Sequence, residues 1–149
     1  MQVVDAIDSN LVVTELDVST KDEMLEVLIE TLKVNGYVND SDGFLKDVYE
    51  REAEGQTGIG NFVAIPHGKS FFVDKVGVAI GINRKDIPWE SLDNNGVKVV
   101  ILFAIGNDTE GAQEHLKLLS LFARKLGNDE VINHLVNSKT VDDVINAFK

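Results

Sequence analysis

The segment TGIGNFVAIPHG, residues 57 to 68, joins a glycine-rich turn to an apolar run and ends on a histidine and a glycine. The four successive apolar residues, Phe62 to Ile65, predict a short buried strand. Pro66 has a fixed φ and favours an extended conformation in the residue before it. Gly68 would let the chain turn away at once. We therefore expect His67 at the end of a strand, in a rigid position with space around its imidazole, where reactive groups are often found.

Two helices are predicted before this segment, and each has a polar residue at its start and a glycine at its end. The first follows Thr20 and closes at Gly36, and the second starts near Ser41 or Asp42 and closes at Gly55. An earlier strand is predicted at Leu11 to Val13, where three apolar residues follow one another. The segment is thus preceded by a strand and two helices.

Strands and helices also alternate after the segment. Lys75 to Ile82 and the strongly hydrophobic stretch Val97 to Ile105 predict two strands, of which the second should be central. A long helix opens in the loop from Asn107 to Gly111 and ends at Gly127, and two short helices begin near Asp129 and Thr140. This order favours an α/β fold, a sandwich of helices around one sheet.

Composition narrows the class of protein. The length of 149 residues suits a single domain covering residues 1–149. No apolar run is long enough to span a membrane and no signal peptide is visible, so a cytoplasmic location is expected. The absence of cysteine excludes disulfides and thiol chemistry. The net charge of −11 disfavours nucleic acid and favours protein partners with basic patches, although such a charge also serves solubility alone.

Arg51 is expected on the inward face of the second helix, because helical spacing places it on the same side as Phe44 and Val48. A permanent charge in such a position requires an anionic partner. The alternatives are a side chain that extends to solvent, or an ion pair with Glu52 or Asp47.

His115 falls within an apolar arc of the long helix and is interpreted as either a core histidine or a second site residue. This arc is shared by Leu118, Phe122 and one apolar stripe, which consists of Ala112, Leu116, Leu119, Ala123 and Leu126. His134, in contrast, lies across its short helix from the apolar positions and is expected on the surface.

The pattern Arg51-Glu52-Ala53, Thr57 to Gly60 and Ala64 to Gly68 resembles the phosphorylation-site signature of the fructose/mannitol-type enzyme IIA domains. These domains belong to the bacterial sugar phosphotransferase system. The similarity extends over nearly the whole chain and includes the later run from Glu114 to Ser120. The resemblance implies a single domain with a mixed, roughly five-stranded sheet flanked by helices.

The same resemblance implies a phosphocarrier. His67 would accept a phosphoryl group from the histidine phosphocarrier protein, as a tele-phosphohistidine, and pass it to a cysteine of the IIB component. The membrane permease IIC would take part only indirectly, by moving the sugar and receiving the group. A neutral imidazole is a competent nucleophile near pH 7. No metal, nucleotide or other cofactor is expected, because the donor is itself a phosphoprotein.

Further site residues follow from matching positions. The resemblance implies that His115 and Arg51 stabilise the transferring group. Thr57 is expected to bind a phosphoryl oxygen, and the backbone N–H groups at Gly58 and Gly68 are expected to bind others. Phosphoryl transfer needs mainly positioning and positive potential, which such donors supply.

The sequence also allows three alternative functions to be compared with the phosphocarrier. A regulatory enzyme IIA paralogue, a nitrogen-type sensor, would share the same site chemistry. Gly68-Lys69-Ser70 ends like a nucleotide-binding loop, but Val63 stands where that motif needs its first glycine. A metal hydrolase using His67, His115 and a carboxylate lacks any recognisable ligand spacing, so no metal site is expected.

Overall fold

A mixed sheet of six strands forms the centre of the computed structural model, which describes residues 2–149. Its strands are β1 (Val12–Leu16), β2 (Gly58–Gly60), β3 (Val63–Ala64), β4 (His67–Ser70), β5 (Gly77–Ile87) and β6 (Val97–Gly106). The order is β1-β5-β6-β3-β2, and β4 also pairs with β6. Strand β5 is antiparallel to β6, whereas β3 and β4 are parallel to it. The expectations of a mixed α/β sandwich and of a central strand from Val97 are confirmed.

Five helices flank the sheet. They are α1 (Lys21–Val34), α2 (Ser41–Glu54), α3 (Thr109–Leu126), α4 (Asp129–Val136) and α5 (Val141–Ala147). Each starts after a residue whose side-chain oxygen accepts a backbone N–H of the first turn, namely Thr20, Asp40, Asp108, Asn128 and Thr140. None of the helices in residues 2–149 is long and apolar enough to cross a membrane.

Strand β6 separates two apolar layers. From Val99 to Ile105 its side chains alternate between the layers, as the two-residue period of a strand requires. One layer holds the buried faces of α1 and α2, including Met24 and Phe44. The other holds those of α3, α4 and α5, including Phe122. Because both faces of β6 are covered, the strand is apolar almost throughout, which explains why it could be recognised in the sequence.

The sequence predicted that the chain turns away directly after His67, and this prediction is wrong. His67 is instead the first residue of β4, and Gly68 continues the strand beside Ala104 of β6. A Cβ at Gly68 would lie 2.7 Å from a ring carbon of Phe44. The glycine is therefore needed for close packing of α2 against β4 rather than for a turn.

The apolar run before the histidine is also shorter as a strand than expected. Only Val63 and Ala64 form β3, because the chain reverses before them with positive φ at Gly60, Asn61 and Phe62. Positive φ at a bulky residue is unusual. The carbonyl of Phe62 accepts hydrogen bonds from the N–H groups of Lys98 and Val99, at 2.8 and 2.9 Å, which holds this turn against β6.

The strand predicted from Lys75 begins at Gly77, and its glycines approach side chains rather than another backbone. A Cβ at Gly77 would lie 2.5 Å from the Tyr37 ring, and one at Gly81 would lie 2.8 Å from the sulfur of Met24. These glycines let the α1 layer pack closely on β5.

Candidate functional site

A cleft of about 390 Å³ opens between α2, β4 and α3. Four of the side chains lining it carry nitrogen groups, namely Arg51, His67, Lys69 and His115. The cleft arises from the strand register. His67 pairs with Phe103, so both side chains point to the α3 side of the sheet, where Phe103 also meets the His115 ring. Gly68 points to the α2 side.

His67 has both ring nitrogens in hydrogen-bonding positions. Its Nδ1 lies 3.4 Å from the carbonyl oxygen of Ile65, and its Nε2 lies 3.0 Å from Nε of Arg51. A carbonyl can only accept and a guanidinium can only donate. The proton therefore belongs on Nδ1, and Nε2 carries the lone pair. The nucleophilic nitrogen of this tautomer is Nε2, which faces the cleft beside the arginine.

Arg51 is half-buried, and its inward direction is as predicted. Besides the bond to His67, its Nη1 donates to the carbonyl oxygen of Gly55 at 3.1 Å. This carbonyl belongs to the residue that ends α2, so the arginine also satisfies the helix terminus. Neither Glu52 nor Asp47 is within ion-pair distance of Arg51 among the described residues, so the ion-pair alternative is not observed.

His115 stands on α3 directly opposite His67. The two ring centroids are 4.9 Å apart and the planes are tilted by 37°. The Phe103 ring meets the other side of His115 edge to face, at 6.0 Å between centroids. Nδ1 of His115 is buried and has no hydrogen-bond partner in the described chain. The structure thus brings together the two histidines that the sequence placed in separate elements.

Both histidines are held in the neutral form. Burial, opposed by the Ile65 carbonyl, lowers the pKa of His67, and the charge of Arg51 lowers it further. Burial, together with His67, Arg51 and Lys69, lowers the pKa of His115 to about 4. A neutral imidazole is the form that nucleophilic attack requires, so the electrostatics of the cleft favour that form for both histidines at neutral pH.

The rim of the cleft on the α2 side is acidic. Asp47, Glu50 and Glu54 line it at successive turns of the helix. Arg51, which is half-buried, and Lys69, which is exposed, place positive charge in the same cleft. An anion bound at His67 would therefore meet positive potential, while an approaching protein surface would first meet negative charge.

Three predicted phosphoryl ligands have other positions. Thr57 is buried, and its hydroxyl donates to Oε1 of Glu52 and accepts from Nε1 of Trp89. The N–H of Gly58 donates to the carbonyl of Glu90 at 3.1 Å. Gly68 lies in β4 and faces α2. None of the three lines the cleft. Thr57 and Gly58 are kept away from it because their turn is held against the loop from Trp89 to Asp93, and Gly68 because it faces α2.

The apolar stripe predicted for α3 is partly wrong. Leu116 is 67% exposed, and Ala123 is exposed as well. The buried face runs through Phe122 and Leu126, both within the predicted apolar arc, and is continued by the partly buried Leu118. Leu116 borders the mouth of the cleft. His134 is exposed, as expected.

Lys69 lines the cleft but was not predicted from the sequence as a site residue. In a strand, residues two apart point to the same side, so Lys69 shares the side of His67. This signal was available once β4 was recognised as a strand. In the sequence, Lys69 fits the end of a nucleotide-binding loop, which hides its place on the strand.

A match to a protein-family model shows which family this chain belongs to. Residues 5–149 match the model described as "Phosphoenolpyruvate-dependent sugar phosphotransferase system, EIIA 2". The chain belongs to this EIIA family. The components of this family are phosphotransferase proteins of the sugar phosphotransferase system. The family resemblance stated from the sequence is confirmed.

Individual EIIA relatives agree. The chain is 35% identical over 133 residues to the mannitol-specific phosphotransferase enzyme IIA component of Bacillus subtilis, covering 88% of this chain and 87% of that one. It is 33% identical over 130 residues to the fructose-specific EIIA component of Haloferax volcanii, covering 85% and 83%. It is also 29% identical to a 2-O-alpha-mannosyl-D-glycerate-specific EIIABC component of Escherichia coli, covering 87% of this chain but spanning only 20% of that relative.

Solved EIIA structures share the fold. The nitrogen regulatory protein IIA-Ntr from Neisseria meningitidis superposes with a TM-score of 0.86 at 22% identity, covering 99% of each chain. The mannitol IIA from Escherichia coli superposes with a TM-score of 0.80 at 23% identity, covering 96% of this chain and 99% of that one.

Proposed function

We propose that this EIIA chain is a phosphocarrier in which Nε2 of His67 accepts a phosphoryl group from the histidine phosphocarrier protein and passes it to a cysteine of a IIB component. The main support is the hydrogen-bonding state of His67. Its proton is directed to the Ile65 carbonyl and its lone pair faces a cleft that contains Arg51 and His115. This arrangement favours Nε2 as the reacting nitrogen, because it is the ring nitrogen that keeps a lone pair.

In the first transfer, Nε2 attacks the phosphorus atom of the donor phosphohistidine. A bond forms between Nε2 and phosphorus while the bond from phosphorus to the donor nitrogen breaks, and that nitrogen leaves with its electron pair. In the second transfer, a cysteine thiolate of IIB attacks the same phosphorus, and Nε2 recovers its lone pair. The Nδ1–H of His67 remains hydrogen-bonded to the Ile65 carbonyl during both transfers. This hydrogen bond stabilises the charge of the phosphorylated ring.

Arg51 must move during the first transfer. In the unphosphorylated chain its Nε–H donates a hydrogen bond to the lone pair of His67 Nε2, and so lies along the direction from which phosphorus must approach. We propose that the guanidinium shifts onto the phosphoryl oxygens, where its planar set of donors matches their geometry. In the resting state the arginine orients the imidazole, and in the transfer it neutralises charge on the oxygens.

His115 is proposed to donate from the opposite wall. Its Nδ1 is buried and has no hydrogen-bond partner among residues 2–149, so Nε2 is the nitrogen that we expect to meet a phosphoryl oxygen. A neutral imidazole has a single N–H, and the lowered pKa keeps His115 neutral. Lys69 adds positive potential to the same cleft.

Thr57, Gly58 and Gly68 are proposed to act indirectly on phosphoryl binding. The hydroxyl of Thr57 holds Glu52, next to Arg51 in the chain, and the Gly58 N–H fixes the turn before β3. Gly68 permits the close packing of α2, which carries Arg51, against β4.

The partners follow from charge and family. The net charge of −11 and the acidic rim favour a donor protein with a basic surface around its own histidine. For the acceptor, a solved complex of the Escherichia coli mannitol enzyme IIA with phosphorylated IIB contains a chain of this fold, with a TM-score of 0.80 at 21% identity. We expect no nucleic acid partner, and we expect the sugar to contact other components.

The proposal is tested by incubation with phosphoenolpyruvate, enzyme I and the histidine phosphocarrier protein, followed by mass spectrometry of the intact chain. We expect one acid-labile phosphoryl group, its absence in His67→Gln, and its retention in the matched control His134→Gln. Phosphate retained by His67→Gln, or phosphate stable to mild acid, would contradict the assignment. Addition of IIB then separates transport from regulation, because a transport component passes the group on and a pure sensor keeps it.

A further inference from the structure

A closed ring of four polar contacts lies directly behind the cleft. Nζ of Lys21 donates to Oε2 of Glu52 at 2.9 Å, and the Thr57 hydroxyl donates to the other oxygen of the same carboxylate. The indole N–H of Trp89 donates to the Thr57 oxygen at 3.3 Å. The Lys21 ammonium lies 4.9 Å from the centre of the Trp89 ring and closes the circuit.

This ring is buried although it contains two charges. The side chains of Lys21 and Glu52 are only 15% and 5% exposed, while Thr57 and Trp89 are 3% and 6% exposed. Buried ion pairs add little net stability compared with apolar packing, and one role attested for them is to specify a unique arrangement. The position of this ring indicates what it specifies.

The ring joins four separate parts of the chain. Lys21 is the first residue of α1, Glu52 lies in the last turn of α2, Thr57 precedes β2, and Trp89 lies in the loop between β5 and β6. The two loops are held together by further hydrogen bonds, among them those from the Gly58 N–H to the Glu90 carbonyl and from the Leu92 N–H to the Gly58 carbonyl.

Both hydrogen-bond partners of His67 depend on this ring. Glu52 immediately follows Arg51 in the helix, so fixing the carboxylate fixes the rotation of the last turn from which the arginine projects. The carbonyl of Thr57 accepts the N–H of Ile65 at 3.0 Å, and the Ile65 carbonyl faces Nδ1 of His67. Thr57 is thus connected through Glu52 to the group on Nε2 and through Ile65 to the group on Nδ1.

We propose that Lys21, Glu52, Thr57 and Trp89 are positioning residues that hold Arg51 and the Ile65 carbonyl at the two nitrogens of His67. They touch neither the phosphoryl group nor the reacting nitrogen. The proposal rests on the proposed phosphocarrier function for its kinetic consequence, but its geometric consequence can be measured in the unphosphorylated protein.

Thr57→Val is the most selective test. Valine keeps the shape and removes the hydroxyl, so Glu52 loses a donor and Trp89 loses an acceptor without any change of charge. Misplacement of reacting groups by about 1 Å can slow a reaction about a hundredfold, and we expect transfer to His67 to slow about tenfold to a hundredfold. Thr57→Ser should restore the rate. Thr31→Val is the matched control, because it also removes one hydroxyl bond, to the Val27 carbonyl in α1, away from the cleft.

The second readout is the nitrogen NMR spectrum of the unphosphorylated chain, observed at Nε of Arg51 and at the ring nitrogens of His67. We expect Thr57→Val to shift the Arg51 Nε–H signal and to mix the two His67 tautomers, and Thr31→Val to do neither. Trp89→Phe, which keeps the ring beneath Lys21 and removes only the indole N–H, should produce the same changes to a smaller degree and serves if Thr57→Val fails to fold.

The outcomes are distinguishable. If the wild-type chain accepts no phosphoryl group but the NMR changes occur, the phosphocarrier function is wrong and the positioning role stands. If the wild type is phosphorylated at His67 while folded Thr57→Val and Trp89→Phe keep normal signals and normal rates, the positioning role is overturned. A lowered urea midpoint with unchanged signals and rates would likewise show that the ring serves stability alone.

Discussion

The two walls of the cleft hold their histidines in different ways. On the β4 and α2 wall, both nitrogens of His67 have partners, and the arginine that bonds one of them also bonds the Gly55 carbonyl. On the α3 wall, His115 packs against Phe103 and leaves a buried nitrogen without a partner. The next residue, Leu116, is 67% exposed.

This difference fits two different tasks. A nucleophile must present one tautomer in one place, which directed hydrogen bonds achieve. The opposite wall has only to offer a donor and a surface, so apolar packing suffices there. An unpartnered buried nitrogen costs stability, and functional sites commonly retain such costs. We therefore expect changes on the β4 and α2 wall to affect transfer most.

The largest effect among stabilising residues is predicted for Arg51→Lys. Lysine keeps the charge but loses the planar set of donors that serves both Nε2 and the phosphoryl oxygens. We expect single-turnover transfer to IIB, and transfer from the donor, to slow about tenfold to a thousandfold, the scale of losing one preorganised donor. The free energy of unfolding should change by less than about 1 kcal/mol, because no ion pair is lost.

Arg84→Lys is the matched control, since the side chain of Arg84 is exposed and bonds the exposed Glu15, away from the cleft. A large drop in the urea midpoint of Arg51→Lys together with a normal transfer rate would assign Arg51 to structure instead.

For His115→Leu we predict two smaller effects in opposite directions, a gain in stability and a loss of transfer rate. Removing the unpartnered nitrogen should raise the free energy of unfolding by about 1 kcal/mol, the scale of an unsatisfied buried polar group. Transfer should slow about tenfold, the scale of one neutral hydrogen bond. Urea titration and single-turnover kinetics on the same sample measure both. Lower stability with normal transfer would make His115 an ordinary core histidine and would remove the contrast between the walls.

The smallest effect is a pH dependence of stability. The pKa values of both cleft histidines lie below the ordinary value of about 6.5. The unfolded chain therefore binds more protons than the folded chain as pH falls from about 6.5 toward 4, and stability falls with it. His115→Leu should reduce this loss, whereas His134→Gln should not. The carboxyls of Asp8, Glu90, Asp93 and Asp143, whose pKa values are also lowered, add their own loss of stability below about pH 5. An equal loss in His115→Leu would show that His115 takes no part in it.

The features that the sequence could predict are those written in local patterns. The caps at Thr20 and Thr140, the run of β6 and the inward direction of Arg51 all depend on residues within a few positions of one another. The pattern around His67 also singled out the residue that we propose as the nucleophile, although the structure was needed to show that this residue starts a strand.

The features that the sequence could not predict depend on distant pairing. Lys21 and Glu52 are 31 residues apart, and Thr57 and Trp89 are 32 apart, so no local pattern showed that the Thr57 hydroxyl was already engaged. The direction of Leu116 was misjudged for a related reason. A helix with apolar residues around much of its surface has several possible buried faces, and the sheet selects one of them.

The central claim is that Nε2 of His67, and no other atom, carries the phosphoryl group. Long-range proton–nitrogen correlation of the phosphorylated, nitrogen-15-labelled chain tests it directly, because the pattern of ring couplings distinguishes the two nitrogens. The account predicts phosphorus on Nε2 of His67 with the proton retained on Nδ1 facing Ile65. Phosphorus on Nδ1 of His67, or on His115, would contradict it.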